Sequence, residues 1–499
     1  MARFSLMLRA RVTAPVLVFL LCALAATPAR AVSSSDGATR DLDAIGKSIT
    51  RQPVDPRIAA ALRQISAARI QQTINKLVSF RTRNTLSSME PDLPQGQGIT
   101  AAANWIADQF QSLSQACGGC LEVKRDTFVE PVHTGQHSRV TRPTTITNVY
   151  AILRGTDPAQ ANRLLLVTGH YDSRNTNVMD DHGLAPGAND DASGVAVSLE
   201  CARVLSRLKF PATLVFAAVA GEEQGLYGSA HLAKLAKDEG WQVEGVLNND
   251  IVGGNTTPGD RLQNKSVVRV FSEGIPVTAT PEQVKRLLFF GYDSDSPSRE
   301  LARAIANVSS TYTTYSAAKS AALKPILEFR ADRFLRGGDH SSFNKEGFPA
   351  VRFTEWREDY HHQHQNVRVE DGIQYGDLPQ FVDYRYVARV ARINAATIAV
   401  LASAPPPPVD AKILVSKLDN NSTLEWTAGP GAPPDTRYEV VWRELTAPTW
   451  QRFTGHGIRL QNSGFTVTLP ISKDNVIFGI RSVDPAGHTS PAVVPMPAR

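Results

Sequence analysis

Leu164-Leu165-Leu166-Val167-Thr168-Gly169-His170-Tyr171-Asp172-Ser173 joins an unbroken apolar run to a histidine and an acid. Such a run, bounded by turn residues, predicts a strand buried on both faces, as in the middle of a parallel sheet. The same grammar recurs downstream. Leu214 to Ala220 runs into Gly221-Glu222-Glu223, and Val243 to Leu247 into Asn248-Asn249-Asp250. Val351-Arg352-Phe353 comes shortly before Tyr360-His361-His362, and Asn189-Asp190-Asp191-Ala192-Ser193-Gly194 opens a helical pattern over Ala192 to Leu208. From about residue 145 to 400, strands alternate with helices. This predicts an α/β fold, a mainly parallel mixed sheet with helices on both faces. Ligands of open sheets bind outside the carboxyl ends of the strands, so these motifs should meet in one crevice.

Their residue types are those of a metal site. Peptide hydrolysis near neutral pH needs a strong nucleophile and a way to stabilise an oxyanion. Two zinc ions about 3.5–4 Å apart supply both, by lowering the pKa of a shared water and polarising the carbonyl. Such a centre needs one bridging carboxylate, plus a His and a further carboxylate for each metal. His170, Asp190, Glu223, Asp250 and a late His satisfy that count. Glu222 is then left beside a ligand, where it can serve as general base. Asp172 stands two residues from His170 and can accept its other ring N–H. Each residue alone has a plainer explanation: a satisfied core histidine, helix-capping acids at Asp190 and Asp191, a solvated Glu222–Glu223 loop. Those explanations must all hold independently, and each leaves charge at the end of an apolar strand, where burial is costly.

The rest of the 499-residue chain surrounds this core. Arg3, Arg9 and Arg11, the apolar run Val16 to Ala26 and Ala29-Arg30-Ala31 predict a signal peptide over 1–31. Leu20 and Leu21 before Cys22 disfavour a lipoprotein site. The signal carries four Arg and no acid, so the net charge falls from +5 to +1 on its removal. That gives no ground for a nucleic-acid partner, and no other stretch is apolar enough to span a bilayer. Residues 32–56 read as a linker or pro-segment. Helical patterns cover Ile58 to Val78, Ala101 to Leu113 and Tyr384 to Leu401, and Ser296-Pro297 starts another. Residues 255–297 read as an insertion of loops and one strand near the site. The α/β domain thus spans 57–403, followed by a stiff Pro-rich linker over 404–409. Beyond it, 410–499 reads as a β-sandwich of about ninety residues. Trp426, Tyr438 and Phe478-Gly479-Ile480-Arg481-Ser482-Val483-Asp484 resemble a fibronectin type III domain.

Export puts Cys117 and Cys120 where a local disulfide is favoured. Their spacing to His133 and His137 also matches a Cys₂His₂ zinc site. Pro131 and Gly135 interrupt the helix such a site requires, and Lys124 and Glu130 fall where a finger wants apolar side chains. Cys201, in a helix of apolar period, reads as a buried inert thiol.

His170-Tyr171-Asp172-Ser173, Asn189-Asp190-Asp191-Ala192-Ser193-Gly194, Glu222-Glu223-Gln224-Gly225-Leu226-Tyr227-Gly228-Ser229 and Asn249-Asp250 together resemble the co-catalytic zinc aminopeptidase family. That family includes bacterial leucyl aminopeptidases and, more distantly, glutaminyl cyclases and the transferrin-receptor ectodomain. The resemblance implies that Asp190 bridges two zincs. It also implies that His170 and Asp250 complete one metal, that Glu223 and the late His complete the other, and that Glu222 shuttles protons. It further implies a non-proline cis peptide at Asp190-Asp191. Asp339-His340, Phe343 and Gly347-Phe348-Pro349-Ala350 resemble the family's stretch before its last ligand. The family ends with Tyr-His and an Asp four residues on, whereas this chain has Tyr360-His361-His362-Gln363-His364-Gln365-Asn366. Alignment on Tyr360 selects His361, and the four-residue spacing selects His362. His362 is the preferred ligand here, with His361 second and His364 third, and Asn366 is left to orient a loop or the imidazole.

The expectation is a secreted or periplasmic aminopeptidase with two Zn²⁺ per chain, acting on peptides with a free N-terminus. The alternatives are a glutaminyl cyclase or carboxypeptidase on the same fold, or a binding protein with a retained metal site. The C-terminal domain is expected to bind a surface or polymer, or to pack on the catalytic domain.

Overall fold

The computed structural model describes residues 45–135, 138–312, 322–334, 336–461 and 463–499; the segment 1–31 that reads as a signal peptide, Cys22 included, lies outside them. Strand β1 (Lys47–Ser48) precedes helices α1 (Pro56–Leu62), α2 (Ala67–Ser79) and α3 (Gly98–Ala116). The periodicity over 58–78 reads as one helix, but the chain divides it. Ser66 is extended, and its hydroxyl accepts the Arg69 N–H to start α2 afresh.

The central sheet is built from β2 (Glu122–Glu130), β3 (Thr144–Leu153), β4 (Arg163–His170), β5 (Thr213–Val219), β6 (Gln242–Asn249), β7 (Val267–Phe271), β8 (Lys324–Glu328) and β9 (Ala350–Glu355). Its strand order is β2-β3-β5-β4-β6-β9-β7-β8. The inner strands β5, β4, β6 and β9 run parallel, while β2, β3 and the β7–β9 pair are antiparallel. Successive side chains of a strand face opposite ways, and β4 uses both faces for the core. Leu165 and Val167 join the cluster under α1, α2 and α3 together with α4 (Ala192–Leu205) and the late helix at 384–403. Leu164 and Leu166 join the opposite cluster. That second face is covered through Leu232, Ala233 and Phe343, on segments 227–238 and 340–345.

After the one-turn α5 (Glu222–Gly225) come α6 (Tyr227–Asp238), α7 (Pro281–Phe290), α8 (Pro297–Tyr312), α9 (His340–Lys345) and α10 (Tyr384–Ser403). Helix α7 corrects the reading of 255–297 as loops and one strand. Thr280 and Gln283 form a capping box at its start. From this helix Arg286 donates to the Pro497 carbonyl at 3.3 Å. A short hairpin, β10 (Arg368–Glu370) with β11 (Ile373–Tyr375), follows the late histidines.

Separate small sheets lie at the C-terminus, from β12 (Val409–Leu414), β13 (Ser422–Thr427), β14 (Arg437–Glu444), β15 (Arg452–Thr454), β16 (Arg459–Gln461), β17 (Gly464–Leu469), β18 (Val476–Val483) and β19 (Met496–Ala498). One has the order β16-β17-β13-β12-β19, the other β1-β15-β14-β18. Trp426, Tyr438, Trp442, Phe478 and Ile480 fill the space between them. The presence of β1 is a surprise of the fold, because the sequence reads 32–56 as a linker. Lys47 and Ser48 pair with Phe453 and Arg452, and Gly46 lies so close to Trp442 that a Cβ there would meet its ring at 2.1 Å.

Candidate metal centre

Four loops leave the carboxyl ends of adjacent parallel strands, and the site is assembled from them. His170 is the last residue of β4, Asp190 precedes α4, Glu222 and Glu223 follow β5, and Asp250 follows β6. The β4 end approaches the start of α4 closely. A Cβ on Gly169 would stand 2.4 Å from the Gly194 carbonyl carbon, and one on Gly194 would stand 2.0 Å from the Asn249 carbonyl oxygen. Glycine at both positions lets three segments meet. The Asp190-Asp191 peptide is cis, as the resemblance implies. Asp191 caps α4 and ties the crevice floor together: its carboxylate accepts N–H bonds from Gly194 (2.9 Å), His170 (3.0 Å) and Ile251 (3.3 Å).

Two donor triples result, His170–Glu222–Asp250 and Asp190–Glu223–His364, with each triple's donor atoms within 4.8 Å of one another. Asp190 joins them. Its Oδ1 lies 3.1 Å from His170 Nε2 and its Oδ2 3.0 Å from His364 Nε2. His364 Nε2 is also 3.3 Å from Glu223 Oε1, and His170 Nε2 is 3.9 Å from Asp250 Oδ1. His170 Nδ1 faces Asp172, 3.2 Å from its carbonyl and 3.4 Å from Oδ1. Asp172 Oδ2 in turn accepts the Glu223 N–H at 3.0 Å, linking the two loops.

The choice of His362 is corrected. Its ring stacks on Phe381 at 3.7 Å between centroids, and its Nδ1 is 4.0 Å from Asp359. His361 is half exposed and bonds Asp359. The chain instead adopts a left-handed conformation at His364 (φ 57°), uncommon for a side chain with a Cβ, and turns the third candidate inward. Spacing from Tyr360 cannot reveal such a turn. Asn366 does orient a loop: it exchanges bonds with Thr176, Oδ1 accepting from the Thr176 N–H and its own N–H reaching Thr176 Oγ1. His340 is buried elsewhere, its Nε2 on the Ala331 carbonyl.

Several supporting residues escape sequence reading. Buried Arg352 holds Asp250 through Nη2 at 2.7 Å. Buried Arg83 donates to the carbonyls of Tyr171, Pro186 and Gly187, clamping the segments around His170 and Asp190. Asp377 accepts the N–H groups of Asn189 and Asp190, and Gln363 donates to Asp190 Oδ2 at 3.1 Å. An Arg inside the apolar strand Ala350–Glu355 was a readable sign, because burying it requires an acid nearby.

Electrostatics fit a divalent cation in each triple. Burial pushes Glu222 well above the usual carboxylate range, reinforced by Asp250 and Glu223. Burial opposes a charge on His364, yet the Glu223 and Asp190 carboxylates outweigh it and raise the ring to about 10. Among the described residues, these four carboxylates share only Arg352 as a close permanent cation. Imidazole and carboxylate are zinc donors, and bound metal would displace those protons. The ligand set opens to a cleft of about 640 Å³. Residues 255–297 contribute nothing to its lining, which includes Arg139, Arg174, Leu226, Arg336 and Tyr360.

Outside the crevice, Cys117 and Cys120 are joined to each other and Cys201 is free and buried. His133 bonds Glu130 and stacks on Tyr227; His137 lies outside the described residues. No helix among the described residues is long and apolar enough to cross a membrane.

Residues 148–275 match peptidase family M28. A probable zinc metalloprotease of Pyrenophora teres f. teres is 43% identical, with 91% of this chain and 90% of that protein covered. One from Pyricularia oryzae is 45% identical, covering 91% and 87%. Among solved structures, Legionella pneumophila LapA aminopeptidase has a TM-score of 0.46 at 19% identity, covering 79% of this chain and 80% of that one. Porphyromonas gingivalis glutaminyl cyclase has 0.43 at 18%, covering 67% and 97%. The chain belongs to peptidase family M28.

Proposed function

We propose that the protein is an exported aminopeptidase that uses two zinc ions per chain. The observation that carries this reading is the pair of donor triples joined through Asp190, whose two oxygens face different imidazoles. His170, Asp190 and Asp250 would hold one ion, and Asp190, Glu223 and His364 the other. When bound, the ions activate water and polarise the scissile carbonyl. The chain supplies the rest. Glu222, its affinity for protons raised by burial, takes a proton from the attacking water and passes it to the leaving amine. Asp172 fixes the His170 ring through Nδ1, and Arg352 and Asp377 hold Asp250 and the Asp190 backbone in place.

Export rests on the signal-like segment over 1–31, and the C-terminal sheets are read as a fibronectin type III-like module. The test is hydrolysis of aminoacyl chromogenic amides by the mature protein, with N-acetylated counterparts as controls. Cleavage of the free amines alone supports an aminopeptidase. Cyclisation of N-terminal glutamine without hydrolysis, or equal cleavage of acetylated substrates, contradicts it.

A further inference from the structure

The cleft over the donor triples has an unusual charge pattern. The acids lining it, Asp190, Glu222, Glu223 and Asp250, all belong to the triples, while four arginines surround them: Arg139, Arg174, Arg333 and Arg336. Once divalent ions offset the carboxylates, the arginines dominate the field a substrate meets. They are poorly neutralised. Arg139 and Arg174 have no acidic partner among the described residues; Arg139 Nη1 donates to the Glu223 carbonyl. Arg333 and Arg336 share the single carboxylate of Glu358 with Arg269, at 2.7, 2.9 and 3.1 Å. Asp332, the other acid on Arg333, is also shared with Arg352.

Arg174 is pre-set for a ligand. Its Nε and Nη2 donate to the carbonyls of Asn175 and Thr176, which orients the guanidinium. The Asn366 bonds to Thr176 anchor that loop. Its remaining N–H groups are free to donate, and a guanidinium held this way loses little freedom on binding a carboxylate.

We propose that this cleft selects substrates carrying a carboxylate close to the bond cut, with Arg174 as the specificity-determining contact and Arg139, Arg333 and Arg336 supplying the positive surroundings. The inference rests on the peptidase reading and narrows its substrate class. The carboxylate has two possible sources: an acidic side chain on the residue released, or the free C-terminus of a very short peptide.

The test uses the zinc-loaded full chain. In one arm, kcat/KM is compared for glutamyl- and aspartyl-4-nitroanilide against leucyl-4-nitroanilide. In the other, Leu-Ala is compared with Leu-Ala amide. Binding is followed by calorimetry with glutarate and with glutaramate, its monoamide. The expected result is a preference of about tenfold or more for the carboxylate form in one arm and in binding, lost in Arg174→Gln and largely kept in Arg174→Lys. Parity in both arms and in binding overturns the proposal, and a preference untouched by Arg174→Gln overturns the assignment to Arg174. A protein that hydrolyses nothing yet still prefers glutarate contradicts the peptidase reading and leaves the carboxylate site standing.

Discussion

Glu222 and Glu223 are neighbours in sequence with different surroundings. Glu223 faces His364 and Asp190, whereas Glu222 groups with His170 and Asp250. Glu222→Gln should keep both metals and lower turnover by about 10²–10⁴-fold, because only the proton carrier is removed. Glu223→Gln should weaken one metal; elemental analysis beside kinetics separates the two outcomes, and wild-type rates in both variants refute the assignment. His364→Ala should lose metal, and His362→Ala, whose ring packs on Phe381, should not. His170, Asp190, Glu222, Glu223 and Asp250 were legible because each adjoins a buried strand end or a helix start. The last histidine was not, since three candidates stand in four residues and a single left-handed residue decides among them. Glu355, fully buried at the end of β9, gives a separate pH prediction. Burial pushes it up to about 8, against the pull of the Asn255 and Asn189 donors. The folded chain therefore keeps a proton that the unfolded chain releases near pH 4.5, so this stability is full at low pH and is lost as pH rises through 8. Melting temperatures between pH 5 and 9 should fall less steeply for Glu355→Gln than for the wild type.

Among the elements, the buried parallel strands were the most readable. Leu214 to Ala220 has no polar residue to mark an alternative, and Val243 to Leu247 carries a single one, Glu244, which pairs with Arg163. Helix α7 is harder to read because none of its residues is buried; its signs are local ones, the Thr280–Gln283 capping box, Pro281 at its start and Gly291 in the left-handed region at its end. The division of 58–78 into α1 and α2 was likewise carried by one cap, Ser66. The turn after α3 closes with the Cys117–Cys120 bond. So short a loop removes little entropy from the unfolded chain, and reduction should cost about 2 kcal/mol or less. Mass spectrometry of unreduced peptides should find this pair joined and Cys201 as a free thiol. Two free thiols with a third zinc would restore the zinc-site reading of His133 and His137.

Across the whole molecule, the C-terminal sheets are fastened to the catalytic part by contacts that the sequence hides. Arg443 reaches Asp295 at 2.5 Å, and Trp450 donates to Glu300 beside Arg303, all next to or on α8. The chain's beginning also crosses over: β1 extends the sheet of β15, Ile45 packs on its core, and His488 approaches Asp55 at 3.4 Å. No local pattern encodes a strand pairing across 400 residues, so 32–56 looks like a linker when read alone. A chain begun at residue 57 should therefore lose stability in its C-terminal sheets, seen by calorimetry as a lower transition and by earlier proteolysis within 410–499; an unchanged melting profile would show the strap to be dispensable. All of this turns on the metal centre. Elemental analysis of the purified mature protein, joined to a peptidase assay before and after chelation, addresses it directly. Two zinc ions per chain, loss of activity on chelation and recovery when zinc is returned are expected. One tightly bound ion with full activity, or activity indifferent to chelation, would contradict it.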